Sequence, residues 1–345
     1  MNLLSLRQVY LSWDKMIRES INLEVINKRF YYNKDLVFIS GMGGSGIIGE
    51  YVAKIFGDKT YDFKEPIVIS NRSSEAPTNL VSRCDRILSI AVSYSGNTGE
   101  TLCFLKKILS RNCDAGVVSS DGRLLEEAKK RSLPYYRVSQ GYLPRASLPM
   151  LLVGVMKIIE LLKIDLNKLY RDLERVSIYI SEYRDLSNEI ANELYEKISS
   201  NERVNIVFSS SNRYWPLIDR FKTEFAENTK LYVETPVLPE AGHNYVETLP
   251  RGNKYVYYIS DPDDAENQML LGFLKKLSQR YENITIKEID LPDKEGFLTK
   301  IMIGSFVAGL ISAILADKLN IEPSETPIIR LYREHSSEYY LAEEC

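Results

Sequence analysis

The chain has 345 residues, of which 44% are hydrophobic and 26% are charged, and its formal net charge at pH 7 is −3. This composition is that of a globular protein with a sizeable core, and it excludes disordered, collagen-like and disulfide-scaffold proteins. The small negative charge provides no basic field, so we expect no nucleic-acid partner. At roughly 150 residues per domain, the length predicts about two domains.

Few residues are available for metal or imidazole chemistry. The cysteines show none of the CxxC or CxxxH spacings that zinc sites need, so we expect no metal. The first residues are amphipathic and lack a small-residue cleavage pattern, which argues against a signal peptide. We therefore expect a cytoplasmic protein whose cysteines are reduced thiols. The sequence contains four cysteines and two histidines: Cys84, Cys103, Cys113, Cys345, His243 and His335.

Strand-like and helix-like segments alternate from Leu36 onwards, which is the pattern of a parallel sheet covered by helices. In the first half, the predicted strands are Leu36–Ser40, Pro66–Ser70, Arg86–Val92, Ala115–Val118 and Tyr135–Val138. The predicted helices between them are Ile47–Phe56, Glu100–Leu109 and Arg123–Lys130.

A long helical region from Leu148 to about Ser199, broken near Asp165, precedes a second series of alternating elements. There the predicted strands are Val204–Ser209, Lys254–Ser260 and Ile284–Ile289, and the predicted helices are Tyr214–Ala226, Ala265–Tyr281 and Leu298–Leu319. We predict two doubly wound, parallel-sheet α/β domains packed together. The first covers residues 1–150, and the second covers 151–345 with the helical connection and a C-terminal helix.

One uncharged run, from Ile301 to Ala316, tests whether the chain crosses a membrane. A membrane span needs about 20 apolar residues, and this run is shorter and is interrupted by small and polar residues such as Gly304 and Ser312. A helix buried between a sheet and a neighbouring subunit explains the run better, so we expect no membrane partner.

The sequence GMGGSG, from Gly41 to Gly46, directly follows the first predicted strand. It fits the GxGxxG pattern of dinucleotide-binding loops, and Arg72 after the second strand could contact a 2′-phosphate. The glycines by themselves indicate only the close approach of an anion or of backbone, and a tight turn without a ligand remains an alternative.

A second loop, SYSGNTGET, follows the third predicted strand and carries Ser93, Ser95 and Thr98. Hydroxyls and backbone amides at a helix N-terminus can bind phosphate without lysine. The carboxyl ends of neighbouring parallel strands share one edge of the sheet, so both loops should lie there. The alternative is a capping loop rich in serine and threonine.

Carboxylate and imidazole groups appear together in the second half. Glu224 and Glu227 are three residues apart on a predicted helix and should share a face, and His243 follows in a loop bounded by glycine and proline. Such a pair suits proton transfer near neutral pH, although the two carboxylates could also form a solvated face. Arg145, in the turn PRAS, could face the ligand edge or cap a helix, and His335 is expected on the surface.

The motifs GMGGSG, SYSGNTGET, PRAS, ENTK and EAGHN occur in this order. Together they resemble the archaeal-type bifunctional phosphoglucose/phosphomannose isomerases, and the likeness extends from about Leu36 to Arg333. The resemblance implies two SIS-type (sugar isomerase) domains of flavodoxin-like topology. It also implies an enzyme that interconverts glucose 6-phosphate and mannose 6-phosphate with fructose 6-phosphate through an enediolate, without metal or cofactor, as a homodimer.

The resemblance also assigns roles to matching positions. It implies that the substrate is held by Gly43, Gly44 and Ser45 beside the sugar and by Ser93, Ser95 and Thr98 at the phosphate. It implies Glu227 as the base, Arg145 as the cation beside the enediolate and Thr326 as the residue that leaves room for both C2 epimers.

His243 matches a ring-opening histidine that reaches the site from the partner subunit. The ring-opening lysine of the family is replaced here by Arg333, which cannot shuttle a proton.

Two other functions remain open from the sequence. A sugar-phosphate sensor built on SIS domains would keep the serine loop and bind without turnover, but it would not need Glu227 and His243. An NADP-dependent oxidoreductase would use the glycine loop and Arg72.

Overall fold

A computed structural model of the chain describes residues 5–76, 82–200 and 204–340. Within these ranges, internal contacts divide the chain into two units. Of the described residues, the first unit contains 12–174 and 326–340, and the second contains 5–11 and 175–325. The division falls inside one continuous helix, Asn167–Ser199, which starts in the first unit and ends in the second.

These units differ from the continuous ranges 1–150 and 151–345 that the sequence predicts. The first helix of the chain belongs to the unit built from its later part, and the C-terminal helix belongs to the unit built from its earlier part. Contacts between elements that are far apart in sequence decide which unit a helix belongs to. These contacts cannot be inferred from the composition along the chain. The assignment of one SIS-type domain to each predicted range stays a prediction.

The first unit is built on parallel strands with helices between them. Its described strands are β1 (Leu36–Gly41), β2 (Ile67–Asn71), β3 (Ile87–Val92), β4 (Asp114–Ser119) and β5 (Tyr135–Arg137). Its helices include α2 (Trp13–Ile21), α3 (Gly43–Phe56), α4 (Gly99–Ser110), α5 (Gly122–Lys130) and α6 (Leu148–Ile159), and α7 (Asn167–Ser199) begins in this unit. The strand order is β2-β1-β3-β4-β5 and all pairs are parallel, which confirms the predicted flavodoxin-like sheet.

The second unit repeats the architecture with fewer strands in its described part. They are β6 (Val204–Ser211), β7 (Val237–Leu238), β8 (Asn253–Ser260) and β9 (Ile284–Asp290), in the parallel order β7-β6-β8-β9. Its helices include α1 (Leu6–Leu11), α8 (Trp215–Glu224), α9 (Ala265–Arg280) and α10 (Phe297–Lys318). The predicted fold class is therefore confirmed for both units.

Helix α10 contains the uncharged run of the sequence. Every residue from Phe297 to Ala316 is buried, against α1 and α8 among other elements. Among the described residues it is the helix whose length and composition would suffice to cross a membrane, yet its apolar window is entirely covered inside the structure. The run is buried as predicted, but helices of its own chain cover it and no neighbouring subunit is needed to bury it.

The expectation that all cysteines are reduced is wrong. Cys84 and Cys113 form a disulfide, with their Cα atoms 4.6 Å apart. They precede β3 and β4, which are hydrogen-bonded neighbours whose pairing begins at Leu88 and Asp114. The sheet therefore brings together two thiols that are 29 residues apart in sequence. Cys345 lies outside the described residues.

Candidate active site

The glycine loop and the serine loop meet at the carboxyl edge of the first sheet. Gly41 and Val92, the last residues of β1 and β3, lie side by side in the register. Immediately beyond them, the backbone N–H of Tyr94 donates to Oγ of Ser45 at 3.1 Å. Both residues are buried, so this hydrogen bond fixes the two loops against each other.

The PRAS turn reaches the same edge. Arg145 and Ser147 belong to the 3₁₀ turn Pro144–Ser147, which precedes α6. A Cβ atom on Gly44 would lie only 2.9 Å from Cα of Arg145, so the backbones approach more closely than any other residue type allows. Arg145 is 5% exposed, and Trp13 Nε1 donates to the carbonyl of Ala146 at 2.9 Å on the other side of the turn.

The serine loop forms a ring of hydroxyl and amide contacts before α4. Oγ of Ser93 and Oγ1 of Thr98 share a hydrogen bond of 2.9 Å, and the N–H of Gly96 donates to Oγ of Ser93 at 3.2 Å. Ser95 is exposed, and its Oγ accepts from the N–H of Asn97 at 3.3 Å. Gly96 has φ +68°, a left-handed conformation that favours glycine. The loop therefore presents hydroxyls at the N-terminus of α4.

Tyr94 organises this edge, and the sequence analysis gave it no role. Its hydroxyl donates to the carbonyl of Ser139 at 3.0 Å and accepts from the N–H of Tyr142 at 2.9 Å, and its carbonyl accepts from Oγ of Ser120 at 2.6 Å. Burial raises the pKa of the Tyr94 phenol, so the hydroxyl stays a donor at neutral pH. The only feature of the sequence that could have indicated this role is the position of Tyr94 between two serines at the end of a strand.

The C-terminal helix α11 (Pro327–Tyr340) packs against the first turn of α4. The Tyr332 hydroxyl donates to Oε1 of Glu100 at 2.8 Å, and this hydrogen bond raises the pKa of Tyr332 to about 12. The side chain of Tyr340 lies against Gly99, where an added Cβ would come within 2.6 Å of the Cβ atom of Tyr340 and 3.2 Å of its ring.

The two predicted site residues of this segment belong to the same unit as the loops. Thr326 is half-buried, and its carbonyl accepts from the N–H of Arg330 at 3.0 Å as α11 begins. Arg333 and His335 are exposed on α11.

Glu227 belongs to the second unit, in a π-helical turn from Phe225 to Thr229 that continues α8. The π-turn is wound more loosely than an α-helix, so the α-helical spacing from which a shared face of Glu224 and Glu227 was predicted does not extend through it. Glu224 is fully buried and Glu227 is half-buried. The alternative of a solvated acidic face is therefore excluded for Glu224. Lys230, with φ +59°, ends the turn, and its Nζ donates to the carbonyl of Glu227.

His243 also belongs to the second unit, at the end of the 3₁₀ turn Glu240–His243. It is exposed. The segment is held by its neighbours: Nδ2 of Asn244 donates to Glu240 at 2.9 Å, and the Tyr245 hydroxyl donates to Glu234. The contribution of His243 to a site across a subunit interface stays a prediction.

The structure thus brings the glycine loop, the serine loop and Arg145 together, whereas Glu227 and His243 lie in the other unit. Hydroxyls, amides at a helix N-terminus and a buried guanidinium can together bind an oxyanion and stabilise negative charge. An oxidoreductase would use Arg72 to bind a 2′-phosphate. In the structure, Nε of Arg72 forms an ion pair with Oε1 of Glu50 at 3.5 Å.

Comparisons with known proteins agree with the resemblance predicted from the motifs. Residues 184–335 match the family model of the bacterial phospho-glucose isomerase C-terminal SIS domain. The chain is 27% identical to a bifunctional phosphoglucose/phosphomannose isomerase of Aquifex aeolicus over 87% of this chain and 90% of that protein. It is also 27% identical to a D-glucosamine-6-phosphate 4-epimerase of Sulfolobus acidocaldarius over 95% of this chain and 97% of that protein.

The structure of glucosamine-6-phosphate deaminase from Thermotoga maritima superposes with a TM-score of 0.65 at 15% identity, covering 94% of this chain and 98% of that one. At this identity the likeness concerns the fold alone. The sequence relatives, in contrast, extend over most of the chain. The resemblance predicted from the motifs is therefore confirmed: over most of its length this chain is similar to the bifunctional phosphoglucose/phosphomannose isomerases, and its residues 184–335 match the model of a SIS domain.

Proposed function

We propose that the protein is an aldose–ketose isomerase that interconverts glucose 6-phosphate and mannose 6-phosphate with fructose 6-phosphate. The observation that carries the proposal is the meeting of the glycine loop, the serine loop and the PRAS turn at one sheet edge, through the Ser45–Tyr94 hydrogen bond and the Gly44–Arg145 approach. The relatives named bifunctional phosphoglucose/phosphomannose isomerase support the same reaction.

In this proposal the substrate is anchored by its phosphate. Ser93, Ser95 and Thr98 accept or donate hydrogen bonds to the phosphate oxygens, and the N-terminus of α4 adds its dipole. Gly43, Gly44 and Ser45 line the sugar, with Thr326 beside C2. The phosphate lies remote from the reacting carbons, so its binding energy serves to orient C1 and C2.

Proton transfer is assigned to Glu227. Its carboxylate removes the proton from C2 of the open-chain aldose, which gives an enediolate, and returns it to C1. The proton of the C2 hydroxyl passes to O1 in the same exchange, so that C2 becomes the carbonyl carbon and C1 carries the hydroxyl. A positioned carboxylate base contributes about 10²–10⁴-fold to such a step. The guanidinium of Arg145 stabilises the negative charge that develops on the enediolate oxygens. No step of this sequence requires a metal or a redox cofactor.

Ring opening is assigned to His243 of the partner subunit in a homodimer. Its imidazole can accept the proton of the C1 hydroxyl and deliver a proton to the ring oxygen, which opens the ring. Arg333 is permanently charged, so it can polarise or bind an oxygen but cannot relay the proton. A cytoplasmic location, where free hexose 6-phosphates occur, is part of this proposal.

A coupled assay for fructose 6-phosphate conversion tests the assignment of the base. Glu227→Gln keeps the size of the side chain and removes the basic carboxylate, so kcat should fall by at least about 100-fold while the Kd for an open-chain hexitol 6-phosphate stays within about twofold. Undiminished turnover in this variant would remove Glu227 from the mechanism. Binding without turnover by the wild type would favour the sensor function.

A second candidate, a hexosamine 6-phosphate 4-epimerase, is favoured by one observation: the Sulfolobus relative of that name aligns with 95% of this chain. Incubation of the wild type with glucosamine 6-phosphate, followed by NMR detection of galactosamine 6-phosphate, decides between them. Formation of the C4 epimer without conversion of fructose 6-phosphate would replace the isomerase proposal.

A further inference from the structure

A network of buried polar side chains lies directly beneath the π-turn that carries Glu227. Glu224 is fully buried at the end of α8, and its Oε2 accepts from the Tyr10 hydroxyl at 2.6 Å and from Nδ2 of Asn228 at 2.8 Å. Its Oε1 forms an ion pair with Nη2 of Arg220, which is 1% exposed. All these residues belong to the second unit.

Asn228, the neighbour of Glu227 in sequence, connects two elements. Besides Glu224, its Nδ2 reaches Oγ of Ser312 in α10 at 2.8 Å, and Ser312 in turn donates to the carbonyl of Gly309 at 2.9 Å. The amide group of Asn228 therefore pins the π-turn to α10 on one side and to the buried carboxylate of Glu224 on the other.

Tyr10 enters this network from the first helix of the chain, 214 residues away in sequence from Glu224. Its ring lies so close to Gly309 that a Cβ at that position would be 2.2 Å from Cε1. Because Gly309 leaves this space, the phenol reaches the carboxylate. Helices α1, α8 and α10 thus converge on Glu224, and each supplies it with a polar partner directly or through Asn228.

A buried carboxylate needs its donors more than a surface one does. Removing one partner of a buried, hydrogen-bonded charge leaves that charge undercompensated. The structure can respond by shifting the residues that hold the remaining bonds, and Asn228 is the nearest of these. A displacement of the π-turn by a fraction of an ångström would move the carboxylate of Glu227.

We propose that Tyr10 is a positioning residue for Glu227, acting through Glu224 and Asn228. This inference rests on the proposed isomerase function, because it assigns the π-turn to the base of that reaction. Tyr10 does not touch the reacting atoms in this scheme. It fixes the backbone that presents the base, and misplacement of a catalytic group by about 1 Å costs about 10²-fold in rate.

The test compares Tyr10→Phe with Tyr214→Phe in the full-length protein. Tyr214 is the matched control: it is equally buried, belongs to the same unit, and its hydroxyl donates to Asp261 at 2.5 Å at the opposite end of α8. Both variants lose one hydroxyl bound to a buried carboxylate. We expect Tyr10→Phe to lower kcat for fructose 6-phosphate by about 10–100-fold with KM within about twofold, and Tyr214→Phe to keep kcat within about twofold.

A second variant and a second measurement make the outcomes separable. Ser312→Ala removes the other anchor of Asn228 and should lower kcat in the same way. Amide hydrogen exchange in residues 225–229 should accelerate by at least about tenfold in Tyr10→Phe and Ser312→Ala but not in Tyr214→Phe.

Equal kcat values for Tyr10→Phe and Tyr214→Phe, or unchanged exchange in residues 225–229, would overturn the positioning role. A different result would separate the two proposals: the wild type converts no hexose phosphate, while exchange is still accelerated in Tyr10→Phe. This result would overturn the isomerase proposal and the catalytic role of the network, but the network would still be shown to hold the π-turn in place.

Discussion

At the scale of single residues, small side chains decide how closely the loops of the first unit approach. Gly44 admits the backbone of Arg145, and Ser45 supplies the acceptor for the buried N–H of Tyr94. A GxGxxG pattern alone predicts close approach without naming what approaches. Here the approaching group is protein backbone from the PRAS turn, which carries the guanidinium that the proposed mechanism uses.

A substitution at Gly44 tests this close approach. In Gly44→Ala the new methyl group would lie 2.9 Å from Cα of Arg145, so the PRAS turn must shift and its guanidinium with it. We expect kcat/KM for fructose 6-phosphate to fall by about 10–100-fold. Gly272→Ala in α9 is the control. Among the described residues, a Cβ there meets no atom within 4 Å beyond its chain neighbours and the backbone of its own helix, so the variant should keep full activity with equal or higher stability. Equal activity of the two variants would contradict the structural role of Gly44.

The residue scale also shows where sequence reasoning reached its limit. The spacing of Glu224 and Glu227 on a predicted α-helix left a solvated acidic face as an alternative, but Glu224 is fully buried and Glu227 is half-buried in a π-turn. Periodicity assumes a regular helix, and the hydrogen bonds of Asn228 to two other helical segments are invisible in a local pattern.

At the scale of elements, the parallel register brings sequence-distant segments together. The disulfide between Cys84 and Cys113 joins the chain just before β3 to the chain just before β4. Neither CxxC spacing nor composition predicted it, because disulfide geometry depends on the distance between Cα atoms and not on the spacing in sequence. The bond restricts the edge of the sheet opposite to the glycine and serine loops.

Removal of this disulfide should lower stability without a change in kcat. The double variant Cys84→Ser/Cys113→Ser frees a loop of 29 residues in the unfolded chain, for which loop entropy predicts a loss of about 3–4 kcal/mol. We expect a lower apparent melting temperature for the variant than for the oxidised wild type, while KM and kcat stay equal. Identical melting curves under non-reducing conditions would show that the bond contributes nothing to stability.

At the scale of the whole molecule, the chain exchanges its terminal helices between the two units. Residues 5–11 belong to the second unit, where Tyr10 contacts Glu224, and residues 326–340 belong to the first, where Tyr332 contacts Glu100. Both predicted proton-transfer residues lie in the second unit, and the glycine and serine loops lie in the first. Removal of residues 5–11 would therefore disturb the second unit, and removal of residues 326–340 would disturb the first.

The proposed contribution of His243 from the partner subunit has a test at this scale. If each site combines Glu227 of one chain with His243 of the other, co-expressed Glu227→Gln and His243→Ala chains form heterodimers with one intact site. Random pairing should then restore about a quarter of wild-type activity towards ring-closed glucose 6-phosphate, starting from two nearly inactive homodimers. Activity no higher than the mean of the two homodimers would indicate that both residues serve the same chain.

The order and type of the regular elements follow from the sequence because they depend on local pattern. β1 is predicted at Leu36–Ser40 and found at Leu36–Gly41, and alternating strands and helices suffice to indicate parallel sheets. The two-residue strand Val237–Leu238 was missed, since a segment of that length has no periodicity. The motifs likewise predicted the resemblance to the bifunctional phosphoglucose/phosphomannose isomerases, because their residues and their order are local features.

Tertiary structure decided which segments meet. The burial of Glu224, the reach of Tyr10 across 214 residues, the joining of Cys84 to Cys113 and the exchange of the terminal helices all depend on contacts between distant parts of the chain. Such contacts are selected by packing and by the need to pair buried polar groups, and a sequence read in short windows records neither. The sequence by itself determined the elements, the loops and the chemistry of their side chains; the fold determined how these side chains are held.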